Sequence, residues 1–148
     1  MGDYQIRARF ETKATRADVR RWLDNAEGIA GWWSDTVVGS AGAVGDSFEV
    51  SFPSTPVAFG LDVTRMDAET IEWHVPENPQ WWKGSTIGFH LTAAAAAEGG
   101  GTSMLFTHGG FSEGHPIIEI ITPAWIRYLD NLVAVAESGT ANPAVTND

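Results

Sequence analysis

Seven tryptophans in 148 residues, four of them in the pairs Trp32-Trp33 and Trp81-Trp82, constrain this chain more than any other feature. A buried indole removes about 150–250 Å² from water and keeps one N–H that needs an acceptor. So much aromatic volume demands either a large packed core or the wall of an apolar cavity. Each pair sits near a residue that ends regular structure, Gly31 before one and Pro79 before the other. Pocket walls and rims are built at such element ends. The doublets therefore predict a hollow domain that holds something apolar.

Acidic residues outnumber basic ones by 19 to 9, a formal net charge of −10. That argues against nucleic acid and against anionic membrane surfaces, which both select basic patches. The chain has no cysteine, which removes disulfides, thiolate metal sites and a cysteine nucleophile. Its opening residues, MGDYQIRARFE, alternate like a strand and lack the basic start and apolar core of a signal peptide. No stretch reaches the ~18 apolar residues of a membrane span. The expectation is one cytoplasmic domain over residues 1–139, with residues 140–148 as a flexible tail. A chain of this length buries about 68–70% of its unfolded surface.

Hydrophobic periodicity lays out the elements. Tyr4, Ile6, Ala8 and Phe10 alternate with polar residues, the period of a half-buried strand. Thr15-Arg-Ala-Asp18 resembles a capping box with Asp in place of Glu, and Val19, Trp22 and Leu23 follow at helical spacing. A second short helix is expected over residues 25–33. Strands are expected over 36–38, 47–52, 57–66 and 70–75, and a hairpin over 86–97 and 102–110 around Glu98-Gly-Gly-Gly101. Thr122-Pro123 reads as cap and first-turn proline of a final helix, with Trp125, Leu129, Leu132, Val133 and Ala136 as its apolar stripe. The Ile117–Ile121 run reads as an edge that closes the fold or pairs with a second subunit. The chain is accordingly a monomer or a homodimer.

The hairpin carries a geometric prediction. Ile87, Phe89 and Leu91 form one apolar face, and Met104 and Phe106 form another, followed in step by His108. Both sets lie on one side of an antiparallel pair only if opposed residue numbers add to an odd total, for example Phe89 with His108. A slip by one residue would send one set into solvent. This places His108 inside and His90 on the outer face.

The order of elements is strand, two short helices, about six antiparallel strands and a long C-terminal helix, the order of an α+β helix-grip fold. Several stretches carry a family resemblance. They are Gly31-Trp-Trp-Ser34, Gly45-Asp-Ser-Phe48, Thr70-Ile-Glu-Trp73, Gly101-Thr-Ser-Met-Leu-Phe-Thr-His-Gly-Gly-Phe111, and Trp125…Leu129…Leu132. In these the chain resembles the START-like, or SRPBCC, superfamily over residues 4–138, in particular the branch named after activators of heat-shock-protein ATPases. It departs from that branch at Thr122-Pro123 and at Pro116-Ile-Ile-Glu-Ile-Ile121, where charged helix is more usual. The resemblance implies a curved antiparallel sheet of about six to seven strands gripping the last helix, with a cavity between them. Members bind lipids and hormones or cyclise aromatic polyketides, and fold alone does not choose among these.

The cavity-facing candidates follow from the predicted faces. The sheet would supply Phe48, Val50, Phe52, Leu61, Trp73, Phe89, Leu91, Met104 and Phe106; the last helix Trp125, Tyr128 and Leu129; and the second short helix Trp33. The same stripes are also what a filled core looks like. His108 is the leading polar candidate, with Tyr128, Thr107 and Glu72 behind it. It would offer one hydrogen bond to a ligand, or satisfy a backbone group or an indole. No catalytic residue is assigned, because no second acid or base accompanies His108. No cofactor is expected. The histidines His74, His90, His108 and His115 lack metal-ligand spacing, and Gly99-Gly-Gly101 lacks the helix and GK[ST] of a phosphate loop. Trp81-Trp82-Lys83 is either an exposed lid or packing over the cavity mouth. Three functions remain: a binder of a small hydrophobic (aromatic, polyketide-like or lipid) molecule, a cyclase or hydratase using His108, and a chaperone-associated interaction module.

Overall fold

The computed structural model describes residues 2, 4–93 and 101–147. Its first strand, β1 (Tyr4–Thr12), leads into two one-turn helices, α1 (Arg16–Arg20) and α2 (Ala26–Ala30). Both start on side-chain caps. Thr15 Oγ1 accepts from Asp18 N at 3.1 Å and Asn25 Oδ1 from Gly28 N at 2.6 Å, satisfying N–H groups that such short helices cannot pair internally.

Six further strands follow: β2 (Val37–Gly39), β3 (Ser47–Val50), β4 (Phe59–Met66), β5 (Thr70–His74), β6 (Thr86–Ala93) and β7 (Thr102–Phe111). With β1 they form one antiparallel sheet in the order β1-β7-β6-β5-β4-β3-β2. A long helix, α3 (Pro116–Ser138), packs its stripe of Ile121, Trp125, Leu129, Leu132, Val135 and Ala136 into the core. This is the helix-grip arrangement the sequence anticipates.

The hairpin parity holds. Ile87 faces His108, Phe89 faces Phe106 and Leu91 faces Met104, all odd sums. The pairing is two residues away from the Phe89–His108 example, which keeps every side chain on its expected face. His108 is completely buried and His90 is half-buried on the outer face. The expected extension of β6 over residues 94–97, and the turn that follows, lie outside the described residues.

One expectation is corrected. Helix α3 begins at Pro116, not at Thr122-Pro123. His115 caps it, with Nδ1 accepting from Ile117 N at 3.1 Å, and Pro116 occupies the first turn, where a missing N–H is harmless. Pro123 lies inside the helix on its exposed side. The Ile117–Ile121 run is therefore helix and not an edge strand. Ile117, Ile121 and Trp125 recur at intervals of four, and that spacing carries the apolar stripe through the proline.

The C-terminal segment pairs with the backbone that follows α2. Asn142 N donates to Gly31 O at 2.7 Å, Ala144 N to Trp32 O at 3.2 Å and Val145 N to Trp33 O at 2.9 Å. Asn147 then binds Asp35 and Ser34 with its side chain, at 2.8 and 3.0 Å. The segment Gly31–Asp35 leaves a one-turn helix with unpaired carbonyls, and the tail pairs them.

Candidate functional site

An apolar pocket of about 270 Å³ opens between the β3–β4 connection, the Gln80–Trp82 turn and the first three turns of α3. Trp33, Phe52, Phe59, Trp82, Trp125 and Tyr128 form its aromatic wall. Ile117, Ile120, Ile121 and Ala124 supply the helix side, and Ser54 and Thr55 the only hydroxyls besides Tyr128. Trp81 and Ile120 stand at the rim, 42% and 66% exposed.

Trp33 is the hub of the wall. It lies nearly parallel to Trp32, Trp73 and Trp82, with centroids 5.7, 6.3 and 6.5 Å away, and packs on Trp125 at 5.2 Å. Trp82 in turn stacks on Trp125 at 5.7 Å. The indoles of Trp22, Trp33, Trp73 and Trp82 are buried with no N–H acceptor among the described residues. Their packing outweighs those missing bonds, each worth about 1–3 kcal/mol.

His108 sits behind this wall, not in it. Trp125 Nε1 donates to His108 Nδ1 at 2.9 Å, and His108 Nε2 lies 2.9 Å from Ser85 Oγ. An indole can only donate, so Nδ1 must be the acceptor and Nε2 must carry the proton. His108 then donates to Ser85 Oγ, which donates onward to Trp82 O at 2.6 Å. Every group in this chain is satisfied by protein. Burial pushes the imidazole down to about 3, so it stays neutral throughout the physiological range. The apparent serine–histidine pair cannot run as a nucleophile and base. The ring nitrogen facing Ser85 already holds a hydrogen, and the other lone pair is spent on Trp125. His108 braces two pocket walls, Trp82 and Trp125, from the rear.

Among solved structures, the Aha1 dimer from Colwellia psychrerythraea superposes over 92% of this chain and 98% of its own, with a TM-score of 0.79 and 25% identity. A protein of the dynemicin biosynthetic locus covers 97% of this chain at a TM-score of 0.76, using 51% of its own length, at 15% identity. A protein from Staphylococcus saprophyticus covers 98% of this chain and 100% of its own at a TM-score of 0.75 and 15% identity. The chain has an Aha1-like helix-grip fold. No protein-family model matches the sequence, and no curated protein matches it either.

Within the Aha1-like fold, Trp33, Phe52, Trp125 and Tyr128 of the expected cavity residues do line the open space. Phe48, Val50, Leu61 and Trp73 do not; nor do Phe89, Leu91, Met104, Phe106 and Leu129. They pack behind Trp33 and Trp125, nearly all completely buried. The middle of the grip is filled by aromatic rings and the pocket is confined to one end. Trp82, one of the two residues expected at a lid or cavity mouth, is wall, whereas Phe59 and the isoleucines of α3 were missed. For Ile117 and Ile121 the signal was present in their four-residue spacing with Trp125. Among the described residues no group of three or more His, Asp or Glu side chains is placed to hold a metal ion. No helix among them is long and apolar enough to cross a membrane.

Proposed function

We propose that this Aha1-like domain binds a small hydrophobic molecule, aromatic, polyketide-like or lipid in character, in the pocket between the sheet end and α3. The supporting observation is the pocket itself. It is an open-mouthed volume walled by indole and isoleucine, with hydroxyls only from Ser54, Thr55 and Tyr128. Such a composition rewards burial of apolar surface at about 25 cal/mol per Å² and leaves a polar end of the ligand near the rim. A catalytic reading gains no support, because His108 has no nitrogen free to take or give a proton.

Native mass spectrometry and thermal unfolding, with a panel of flat aromatics and fatty acids, test this. A bound mass and a raised Tm are expected, and both should vanish in Ala124→Phe, which fills the pocket from the helix side. An occupant that binds the variant equally well would place the ligand elsewhere, and a panel without binders would overturn the reading. The same spectra report whether the protein is a monomer or a homodimer.

A further inference from the structure

The chain carries 19 acidic and 9 basic residues, yet the apolar pocket has none of them in its wall. Among the described residues that line it, seven of thirteen are aromatic and none is Asp, Glu, Lys, Arg or His. The polar side chains on offer are the hydroxyls of Ser54, Thr55 and Tyr128. Each is neutral and can both donate and accept a hydrogen bond.

Charged side chains that adjoin the wall belong to water. Lys83 follows Trp82, Glu119 precedes Ile120, and Arg127 rests over the Tyr128 ring at 5.1 Å; all three are exposed. Lys83 pairs with Glu77 at 3.8 Å, and Arg127 lines a separate surface groove with Asp130. Solvent screens such charges, so they do little for an ion inside the pocket. An ion there would give up its hydration and meet only hydroxyls and rings. A neutral hydroxyl, carbonyl or amide gives up less and recovers a hydrogen bond of its own kind. Size closes the one escape. At about 270 Å³ the space falls just below the roughly 300–1,000 Å³ of sites for drug-sized ligands. A compact occupant is enclosed whole and cannot leave its charge beyond the rim formed by Trp81 and Ile120.

We infer that the pocket takes an uncharged aromatic molecule of about two fused rings, with a hydroxyl, carbonyl or amide as its polar group. It turns away the ionised form of the same skeleton, whichever the sign. This rests on the pocket being a ligand site, and narrows the class from lipids and larger ring systems to compact neutral aromatics. Rings suit the wall better than an alkyl chain, because aromatic pairs gain from offset or edge-to-face contact beyond the area they bury. The chain's net charge of −10 repels anions at long range and attracts cations. For a cation, then, the field of the molecule and the lining of the pocket act in opposite directions, and the lining decides.

Three probes of nearly one shape test it: 2-naphthamide, neutral; 2-naphthoate, an anion; and 2-naphthamidinium, a cation. Each is titrated into the intact chain at neutral pH and about 0.15 M salt, followed by amide NMR shifts. Saturable binding of the amide is expected, with shifts at Trp33, Ile121 and Tyr128. Both ions should bind at least about tenfold more weakly. Ala124→Phe should abolish the response to the amide. An ion that binds as well as the amide, and is lost likewise in Ala124→Phe, would overturn the selection against charge and leave the pocket reading standing. Silence from all three while a fatty acid binds would overturn the compact neutral class alone. Silence from these probes and from the wider panel would remove the pocket reading, and this inference with it.

Discussion

Strands β5, β6 and β7 present two unlike faces to their surroundings. Inward they carry Trp73, Phe89, Phe106 and His108, all with essentially no exposure. Outward, on the same residues' neighbours, they carry Glu72, Gly88, His90 and Thr107 around an open gap. Two histidines make the contrast exact in kind. His108 has both nitrogens bound within the protein, whereas His90 has one partner at 3.3 Å and, among the described residues, none for its other nitrogen. The lesson is that an isolated polar side chain in an apolar interior is there to be satisfied. One on the open face is available for chemistry.

The largest test of that contrast is deletion of each imidazole. His108→Ala strips the acceptor from Trp125 and the donor from Ser85 and leaves a void. A loss of about 3 kcal/mol or more is expected in urea unfolding. His90→Ala should stay within about 0.5 kcal/mol. Similar losses for the two would erase the distinction.

Acidification separates them next. The folded state holds His108 neutral down to about pH 3, while the unfolded chain takes up a proton near pH 6.5. Between those values the unfolded state binds more protons, so stability falls as pH falls. The loss is about 2 kcal/mol by pH 5 relative to neutral pH. In a His108→Gln variant that part of the slope should disappear, which urea midpoints at pH 7 and 5 would show. A wild-type slope retained in the variant would assign it to other groups.

A smaller effect is expected from the tail. Asn147→Ala removes side-chain bonds to Asp35, Ser34 and the Ser51 carbonyl, worth about 1 kcal/mol together after solvation. It should also return the Asp35 carboxyl, which Asn147 holds below its usual range, toward normal. Carboxyl NMR titration reads that directly. Smallest of all, Gly88→Ala should change stability by no more than about 0.5 kcal/mol, since only the Thr107 hydroxyl must turn aside. Affinity in the apolar pocket should be untouched.

Much of the fold was legible because strand alternation is a strong constraint. Parity alone put His108 inside and His90 outside, and the cap at Thr15 marked a real helix start. The start of α3 was not legible, because an interior proline removes one backbone bond and normally ends a helix. Here its ring faces solvent, and packing by Ile117 and Ile121 below it outweighs the local penalty. Legibility of the pocket was poorer still. Periodicity tells which face a side chain takes but not whether the space in front of it is filled. Phe89, Phe106 and Leu129 satisfied the pattern and turned out to be packing. Phe59, the first residue of β4, and Trp82, in a short turn, became wall. The contacts of the C-terminal segment left no trace in hydropathy, since backbone atoms of Asn142, Ala144 and Val145 and the polar side chain of Asn147 make them.

The ladder of indoles centred on Trp33 also makes the molecule an optical antenna. Neighbouring rings 5.2–6.5 Å apart exchange excitation far faster than they emit. Light absorbed by Trp32 or Trp73, deep in the interior, therefore migrates to whichever ring has the lowest excited state. Trp82 and Trp125 connect that ladder to the mouth, so a single contact there should dim or recolour the emission of rings it never touches.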